Sequence, residues 1–544
     1  MAAGLVEGCS CLNEMKRLLK PSFGPNGKDV LIKTSTGTVL TKTGSYIVDC
    51  LQMRHPVGRL IQKSIRNMLL EYGDGSKFMV LLLNDVLNGI NSKYQSMLKS
   101  AYLRQKHSWI LSSLALEISE LRTCIYRDFI NKVDYTAITD SNMIDVIPSI
   151  IEVGLGGVFC GPTCSFITSL LMSLIAAKTI HSMMDSLKFV IESFPNLCLQ
   201  VHGLSIHHSK VIDGIIIDRE LNPRNASFTT NCNFIVIEEC LNSNNSSLSV
   251  TLDENAAISL VKVEDRFYFA VGQSLKANNV KLVLTVDAIP LRFKTVLSNL
   301  SIAYSSHVPF EDIKRVQKLC CVSAVSDMKE LLSLNKNSNL MGICSSFKEE
   351  ILGRRRCLFI GTPKGCEQTS QQLILCSISP GLGVQYFNAM LRCLKLVQAA
   401  LISYRPLEYT MASACKLVPA GGYFELLLLK FLDDLHHESI REVVEILKSA
   451  LFNVIRTLQK NSANAEVFTD ADIWCNLKSL DNGKKLKNHT DVSLEKVKLE
   501  PLTLKMALLD SIFELLLQVL RIDVVVPISC SKIKNSSEEE SDTD

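Results

Sequence analysis

The sequence has almost no excess of charge: 58 Lys and Arg against 55 Asp and Glu leave a net +3 at pH 7. Binding along nucleic-acid phosphates needs Lys and Arg in excess on one face, so DNA and RNA are excluded as partners. Paired cysteines are missing as well. The 19 cysteines stand singly or as Cys9-x-Cys11 and Cys320-Cys321, with no Cys-x-x-Cys and no His at a partnering distance. A four-ligand zinc site is therefore not expected, and buried, reduced thiols in a cytosolic protein fit best. Long hydrophobic runs are absent too. Phe166 to Ala177 is interrupted by Thr168, Ser169 and Ser173 and falls short of the ~20 residues that span a bilayer. The first twelve residues carry Glu7 and no apolar stretch of a secretory signal, so neither secretion nor membrane insertion is expected. The Gly-x-x-x-x-Gly-Lys-Ser/Thr signature of P-loop nucleotide binding does not occur.

What is present is enough apolar material for a large core: 47% hydrophobic and 21% charged residues in 544, which predicts two to four domains. A helical pattern over Cys11 to Leu19 is followed by the turn Phe23-Gly24-Pro25-Asn26-Gly27. The runs Asp29 to Lys33 and Gly37 to Thr41 read as a hairpin. From His55 apolar residues recur at helical spacing (Val57, Leu60, Ile61, Ile65, Met68, Leu69), and after Gly73-Asp74-Gly75-Ser76 another helix begins through Phe78, Val80 and Leu81. Between about 201 and 360 the texture changes. Strand-like runs (Val211 to Ile217, Phe234 to Ile237, Lys281 to Val286, Cys357 to Ile360) alternate with helical ones, as in α/β folds. Helices then return: Glu442 to Leu458 carries an apolar stripe, and Leu502 to Leu520 is apolar almost all round and must be buried. Ile522 to Val526 reads as a short strand, and Ser531 to Asp544 as a disordered acidic tail.

The order helical, mixed, helical implies that one domain is assembled from both chain ends around an insert, with two crossings that act as a hinge. Gly73-Asp74-Gly75-Ser76 before a helix suits a nucleotide phosphate, because glycine lets backbone N–H groups approach and the helix N-terminus adds positive partial charge. Asp74 could then hold Mg²⁺, though taken alone such a turn is more often only a loop before a capped helix. Other clusters read as surface. Asp433-Asp434-Leu435-His436-His437-Glu438 is a solvated helix end, because only residues three or four apart share a helix face. His207-His208 is an exposed turn, and Arg354-Arg355-Arg356 a solvated edge.

Several signals stand in one order: Gly24-Pro25-Asn26-Gly27, Leu40-Thr41-Lys42-Thr43-Gly44, His55-Pro56, Gly73-Asp74-Gly75, Val418-Pro419-Ala420-Gly421-Gly422-Tyr423-Phe424-Glu425 and Leu520-Arg521-Ile522-Asp523. This order resembles the group II (TCP-1) chaperonins, and within them the chaperonin-like proteins of the Bardet–Biedl group, over nearly the whole chain from Gly24 to Val526. The resemblance implies an α/β multidomain chaperonin fold: a helical equatorial domain, a hinge-like intermediate domain and an inserted α/β apical domain. Its boundaries would be 1–125 and 409–527 equatorial, 126–200 and 363–408 intermediate, 201–362 apical, and 528–544 tail.

By the same resemblance, Gly24, Pro25 and Gly27 would line ATP, Gly44 would close the second turn, Asp74, Gly75 and Ser76 would meet Mg²⁺ and phosphate, and Gly421 and Gly422 would lie under base and ribose. Three departures stand out. The family's Thr-Asn-Asp-Gly turn reads Thr41-Lys42-Thr43-Gly44, without the carboxylate. Its Gly-Asp-Gly-Thr-Thr ends here in Ser76-Lys77. The Asp that activates the attacking water aligns with Asn388, and a neutral amide is no general base at neutral pH. ATP binding with weak or absent hydrolysis is the expectation. Leu241 to Ser247 stands where the family carries a helical protrusion, which implies a trimmed lid, and the N-terminal strand used between ring neighbours looks reduced. The implied role is a chaperone for assembly of the BBSome, a ciliary coat complex; the alternatives are an active ATP-hydrolysing chaperonin subunit that folds client proteins and a nucleotide-free assembly scaffold. Sister Bardet–Biedl chaperonin-like proteins, cytosolic chaperonin subunits and BBSome subunits would be partners, in the cytoplasm, ciliary base and cilium.

Overall fold

A computed structural model describes the chain except residues 1–2, 35–36, 98–106, 131–132, 134, 160, 176–179, 225, 229–230, 239–253, 321, 335–338, 354, 362–370, 403–415, 462–497 and 523–544. The chain divides into two units. One is built from Met1–Ala137 and Ser403–Asp544, the other from Ile138–Ile402.

The first unit opens with helix α1 (Ala3–Leu19), which starts eight residues before the periodic stretch seen in sequence. Leu5, Leu12, Met15 and Leu19 are buried on one face of it, the 3.6-residue repeat of an amphipathic helix. Strands β1 (Val30–Thr34) and β2 (Gly37–Thr41) pair antiparallel from Val30↔Thr41 to Thr34↔Gly37. Helices α2 (Gly44–Cys50), α3 (Pro56–Tyr72), α4 (Ser76–Met97) and α5 (His107–Cys124) follow. Helix α3 begins as its sequence requires. Pro56 occupies the first turn, where a missing N–H costs nothing, and His55 Nδ1 accepts from the Val57 N–H at 3.3 Å. Gly73 ends it in a left-handed conformation, φ 80°, its N–H donating to Leu69 O at 3.0 Å. Strand β3 (Thr136–Ala137) closes this stretch.

The second unit begins with helices α6 (Met143–Gly156), α7 (Gly161–Ile175) and α8 (Ile180–Leu197). Strands β4 (Cys198–His202), β5 (Lys210–Asp213), β6 (Ile215–Ile217), β7 (Ser227–Phe228) and β8 (Cys232–Ile237) come next. Helices α9 (Glu254–Ala277), α10 (Leu291–Asn299) and α11 (Phe310–Cys320) then alternate with β9 (Val280–Thr285) and β10 (Ala303–Ser305). Strands β11 (Met341–Cys344), β12 (Ser346–Leu352), β13 (Arg355–Gly361) and β14 (Gln371–Ser377) lead into helix α12 (Pro380–Leu401). Three sheets result, ordered β10-β9-β8-β11, β6-β13-β12-β7 and β4-β14-β5.

One expected strand is two. Val211 to Ile217 breaks at Gly214, φ 150°, where a Cβ would lie 2.5 Å from Ile360 O. Strand β5 pairs with β14 and β6 with β13, so the chain changes sheets at that glycine. Only a residue without a side chain allows the approach. Leu241 to Ser247, Arg354, Asp523 to Val526 and the tail lie outside the described residues.

The chain re-enters the first unit at β15 (Lys416–Pro419), followed by α13 (Tyr423–Asp433), α14 (Arg441–Lys460), β16 (Leu499–Pro501) and α15 (Leu502–Leu520). Strand β15 pairs antiparallel with both β16 and β3, which joins the two ends of the chain in one sheet. In α14, Val443, Val444, Leu447, Ala450, Leu451, Val454 and Ile455 are buried. Helix α15 is buried on nearly every face, with Leu504, Met506, Leu508, Leu509, Ile512, Phe513, Leu515 and Leu516 inside. Burying one such side chain is worth about 1.5–3 kcal/mol, so α15 is the hydrophobic axis of this unit. No helix among the described residues is long and apolar enough to cross a membrane.

Candidate nucleotide site in the first unit

The glycines singled out in sequence occur where a side chain is excluded or a left-handed backbone is needed. Gly24 has φ 89° and begins a turn in which Gly27 N–H donates to Gly24 O at 3.2 Å and Lys28 N–H to Pro21 O at 2.9 Å. A Cβ on Gly27 would stand 2.4 Å from Ser22 O; Pro25 is exposed at the tip of the turn. Gly75 has φ 97° and lies against Leu508 of α15, which would be 2.6 Å from an added Cβ. Gly44, at the start of α2, is pressed against Ser76 Oγ and Lys77. Gly421 and Gly422 have φ 92° and 97°, and no atom would lie within 4 Å of a Cβ on Gly421. A left-handed, open glycine before the N-terminus of α13 is backbone on which a flat group can rest.

Shared neighbours bring these turns together. Leu458 of α14 touches both Gly24 and Gly422. Asn461, at the end of the same helix, donates to Lys20 O at 2.8 Å and Phe23 O at 2.9 Å. Lys77 donates to Ser22 O at 2.5 Å, so the cation that departs from the family motif ties the Gly24 turn to the start of α4. Ser76 is buried in the first turn of α4, whose ladder starts with Met79 N–H donating to Gly75 O at 2.9 Å. Half-buried Asp74 precedes that N-terminus. Thr43 adds no charge here; its N–H donates to Thr41 Oγ1 at 3.0 Å.

Beneath this surface lies a charged cluster that sequence reasoning did not single out. Lys505 Nζ is 2.7 Å from Glu425 Oε1 and 3.1 Å from Glu500 Oε1, and stands over the Phe78 ring at 5.2 Å. The exposures of the three side chains are 11%, 3% and 12%. Burial pushes Glu500 up to about 7, with the Lys505 charge opposing and the Glu425 and Asp74 charges adding to the rise. The two carboxylates hold Lys505 above the ordinary lysine range in spite of its burial. Lys505 thus fastens α15 to the helix after Gly422 and to the helix after Gly75. The only signal in sequence was an acid-and-base set inside apolar runs, separated by 80 positions.

Asn388 is in the second unit, exposed on α12. The sequence of that helix, PGLGVQYFNAMLRCLKLVQAAL, contains no Asp or Glu at all. Whichever residue it presents, α12 supplies no carboxylate base. The remaining clusters lie where a surface reading puts them: Asp433, Asp434, His436, His437 and Glu438 are exposed, as are His207 and His208. Arg355 pairs with Asp218 at 2.7 Å and Arg356 with Glu349 at 3.5 Å. Among the described residues no group of three or more His, Cys, Asp or Glu is arranged to hold a metal on its own. A metal here would need phosphate oxygens beside Asp74, and that fits Mg²⁺, which keeps water and phosphate ligands and takes one or two carboxylates.

The fold, with one unit assembled from both chain ends around glycine turns, is that of a chaperonin. The model of the TCP-1/cpn60 chaperonin family matches residues 15–529, and the chain belongs to that family. Among its relatives, mouse BBSome complex assembly protein BBS10 is 23% identical over 403 residues, 69% of this chain and 55% of the relative. The human protein of that name is 21% identical over 420 residues, 73% of this chain and 58% of the relative. Thermosome subunit alpha of Archaeoglobus fulgidus is 23% identical over 534 residues, 93% of this chain and 89% of the relative. A group III chaperonin crystallised in the open state has the same fold, with a TM-score of 0.67 over 96% of this chain and 98% of that one at 15% identity. The chain is a chaperonin-like protein related to BBS10, and its matches span little more than half the length of those BBS10 relatives.

Proposed function

We propose that this protein is an assembly chaperone that binds Mg·ATP in its first unit and hydrolyses it slowly or not at all, its clients being subunits of a BBSome-type coat. The observation that carries the reading is the contrast between a retained set of glycine turns and a missing set of carboxylates. Leu458 lies against both Gly24 and Gly422, Asn461 and Lys77 tie down the turn that holds Gly24 and Gly27, and Gly44 packs against Ser76 and Lys77, which follow Gly75. Asp74 and Ser76, at the start of α4, are the groups that would meet metal and phosphate. Against that, Thr43 replaces one acid and α12 offers none. Loss of a positioned base costs roughly 10²–10⁴ in rate, so nucleotide would act as a stabilising ligand rather than as fuel.

The choice of clients rests on the relatives named for BBSome assembly, together with chaperonin membership; sister chaperonin-like proteins and cytosolic chaperonin subunits are the partners proposed with them, at the ciliary base. Two measurements test the reading. Mg·ATP in excess should raise the unfolding temperature by the mass-action term, about 2.7 kcal/mol at a hundredfold excess over Kd, while phosphate release stays at background. Affinity purification from ciliated cells should recover chaperonin and coat subunits. A turnover equal to that of an active thermosome subunit would overturn the first half, and recovery of neither class of subunit the second.

A further inference from the structure

The second unit holds two thiols in a position that none of the nucleotide chemistry uses. Cys232 begins β8 and Cys344 ends β11, and the two are register partners across that antiparallel pair. Their sulfurs are 3.2 Å apart, 112 positions separated in sequence, and both residues are fully enclosed in an apolar cluster with Phe234, Val322 and Phe347. Directly opposed residues of an antiparallel pair have Cα atoms about 4.5–5.5 Å apart, and a disulfide accepts about 4.4–6.8 Å. The bond therefore needs side-chain rotation of about 1 Å at the sulfurs and no backbone movement.

We propose that Cys232 and Cys344 form a reversible dithiol–disulfide pair that locks the edge strand β11 onto its sheet when a peroxide is the oxidant. Among the described residues β11 is terminal in the sheet order β10-β9-β8-β11 and pairs with β8 as its one strand partner, so the covalent link acts at a sheet edge. The chemistry balances with hydrogen peroxide: a Cys232 thiolate attacks one peroxide oxygen, giving a sulfenic acid and, after proton uptake, water. Cys344 then attacks that sulfur, its proton leaving with the hydroxyl as a second water. Two thiols are oxidised and one peroxide is reduced. The roles follow from the surroundings. The hydrogen bond between the two sulfurs and the charge of Lys281 together hold Cys232 below the ordinary thiol range against the opposing effect of burial. The same hydrogen bond, with burial, holds Cys344 protonated. Elsewhere burial pushes Cys9 up to about 11 and Cys198 and Cys357 up to about 12, so those thiols compete poorly with Cys232 for the first attack on peroxide, whereas Cys344 needs no free thiolate because its proton passes to the departing hydroxyl. Cys320, half-buried against the same cluster, is the competitor to exclude.

The test is a titration of the full chain with hydrogen peroxide, followed by alkylation and peptide mapping without reductant. The expected product at the lowest equivalents is a Cys232–Cys344 linked peptide pair, reversed by dithiothreitol, abolished in C232S or C344S and kept in C320S. Amide hydrogen exchange over Met341–Cys344 should slow at least tenfold in the oxidised protein. Recovery of both thiols alkylated while other cysteines oxidise, or a link from either one to Cys320, overturns the pairing. Unchanged exchange in β11 overturns the lock. The mapping on unsubstituted protein decides the matter even if a variant fails to fold.

Discussion

Each unit buries a cation, and the two are answered differently. In the first, Lys505 sits between the carboxylates of Glu425 and Glu500, within electrostatic reach of Asp74. In the second, Arg315 of α11 donates to the carbonyls of Asn196 and Ile216, the latter at 3.1 Å, and meets Asp312 at 3.3 Å. Carbonyl oxygens are neutral and do not titrate, so those two bonds tie Arg315 of α11 to α8 and β6 whatever the pH, and only its pair with Asp312 is open to protonation. Two carboxylates around one ammonium leave a buried negative charge whose energy depends on what stands above it. In the function proposed above, that is where a metal and its phosphates would stand. The difference teaches that the buried cation of the unit with the glycine turns depends wholly on carboxylates, while that of the insert rests largely on backbone carbonyls.

The harshest way to break this comparison is Lys505→Met. It leaves Glu425 and Glu500 buried without their cation, a loss of about 3–5 kcal/mol, read by urea unfolding at pH 8. The same variant should lose most of its thermal response to Mg·ATP. A smaller loss with an intact ATP response would remove the link between cluster and site.

Glu500 gives a pH signature of the opposite sign to an ordinary salt-bridged acid. Its folded pKa, about 7, lies above the usual 4.5, so the folded state binds the extra proton between those values. Its contribution to stability is complete below pH 4.5 and is lost as pH rises through about 7. Glu500→Gln should flatten that part of a stability-against-pH curve, and an unaltered slope would assign it to other groups.

Arg315→Met strips two backbone carbonyls of a charged donor and should cost roughly 2–3 kcal/mol, with the ATP-induced shift unchanged. A loss of the shift in that variant would show the insert to be as nucleotide-linked as the first unit. The smallest effect belongs to Gly422→Ala. Space is ample, Leu458 being 3.5 Å from the new Cβ, so the cost is only that of a left-handed backbone, roughly 1–2 kcal/mol. Nucleotide affinity should fall with little change in the protein's own cooperativity of unfolding.

Much of the fold was legible because periodicity is local. The stripe from Val443 to Ile455 and the all-round apolar Leu502–Leu520 each specify a helix and its burial from a few turns of sequence. Gly73 and Pro56 mark their helix ends by restrictions on single residues. Val211 to Ile217 misled for the same reason: its run of β-branched residues is continuous, and only the partners β13 and β14 reveal that Gly214 divides it. The glycine turns of the site were visible one at a time. Their convergence was not, since it depends on Leu458, Asn461 and Lys77, side chains that pattern reading treats as core or surface. The Glu425, Glu500 and Lys505 cluster escaped altogether, because a charged residue in an apolar run is ambiguous until its partner is placed.

By itself the sequence determined the order of helical, mixed and helical segments and the glycine positions, which are properties of composition and short-range spacing, and set beside the family's motifs it also showed the departures at Thr43 and Asn388. The tertiary structure decided which residues meet: Leu458 against Gly24 and Gly422, Lys505 between two carboxylates, Cys232 beside Cys344. Such pairings are set by packing between segments far apart in the chain, where buried charge and close contact gain or lose several kcal/mol, and no local pattern encodes which distant segment will be the neighbour.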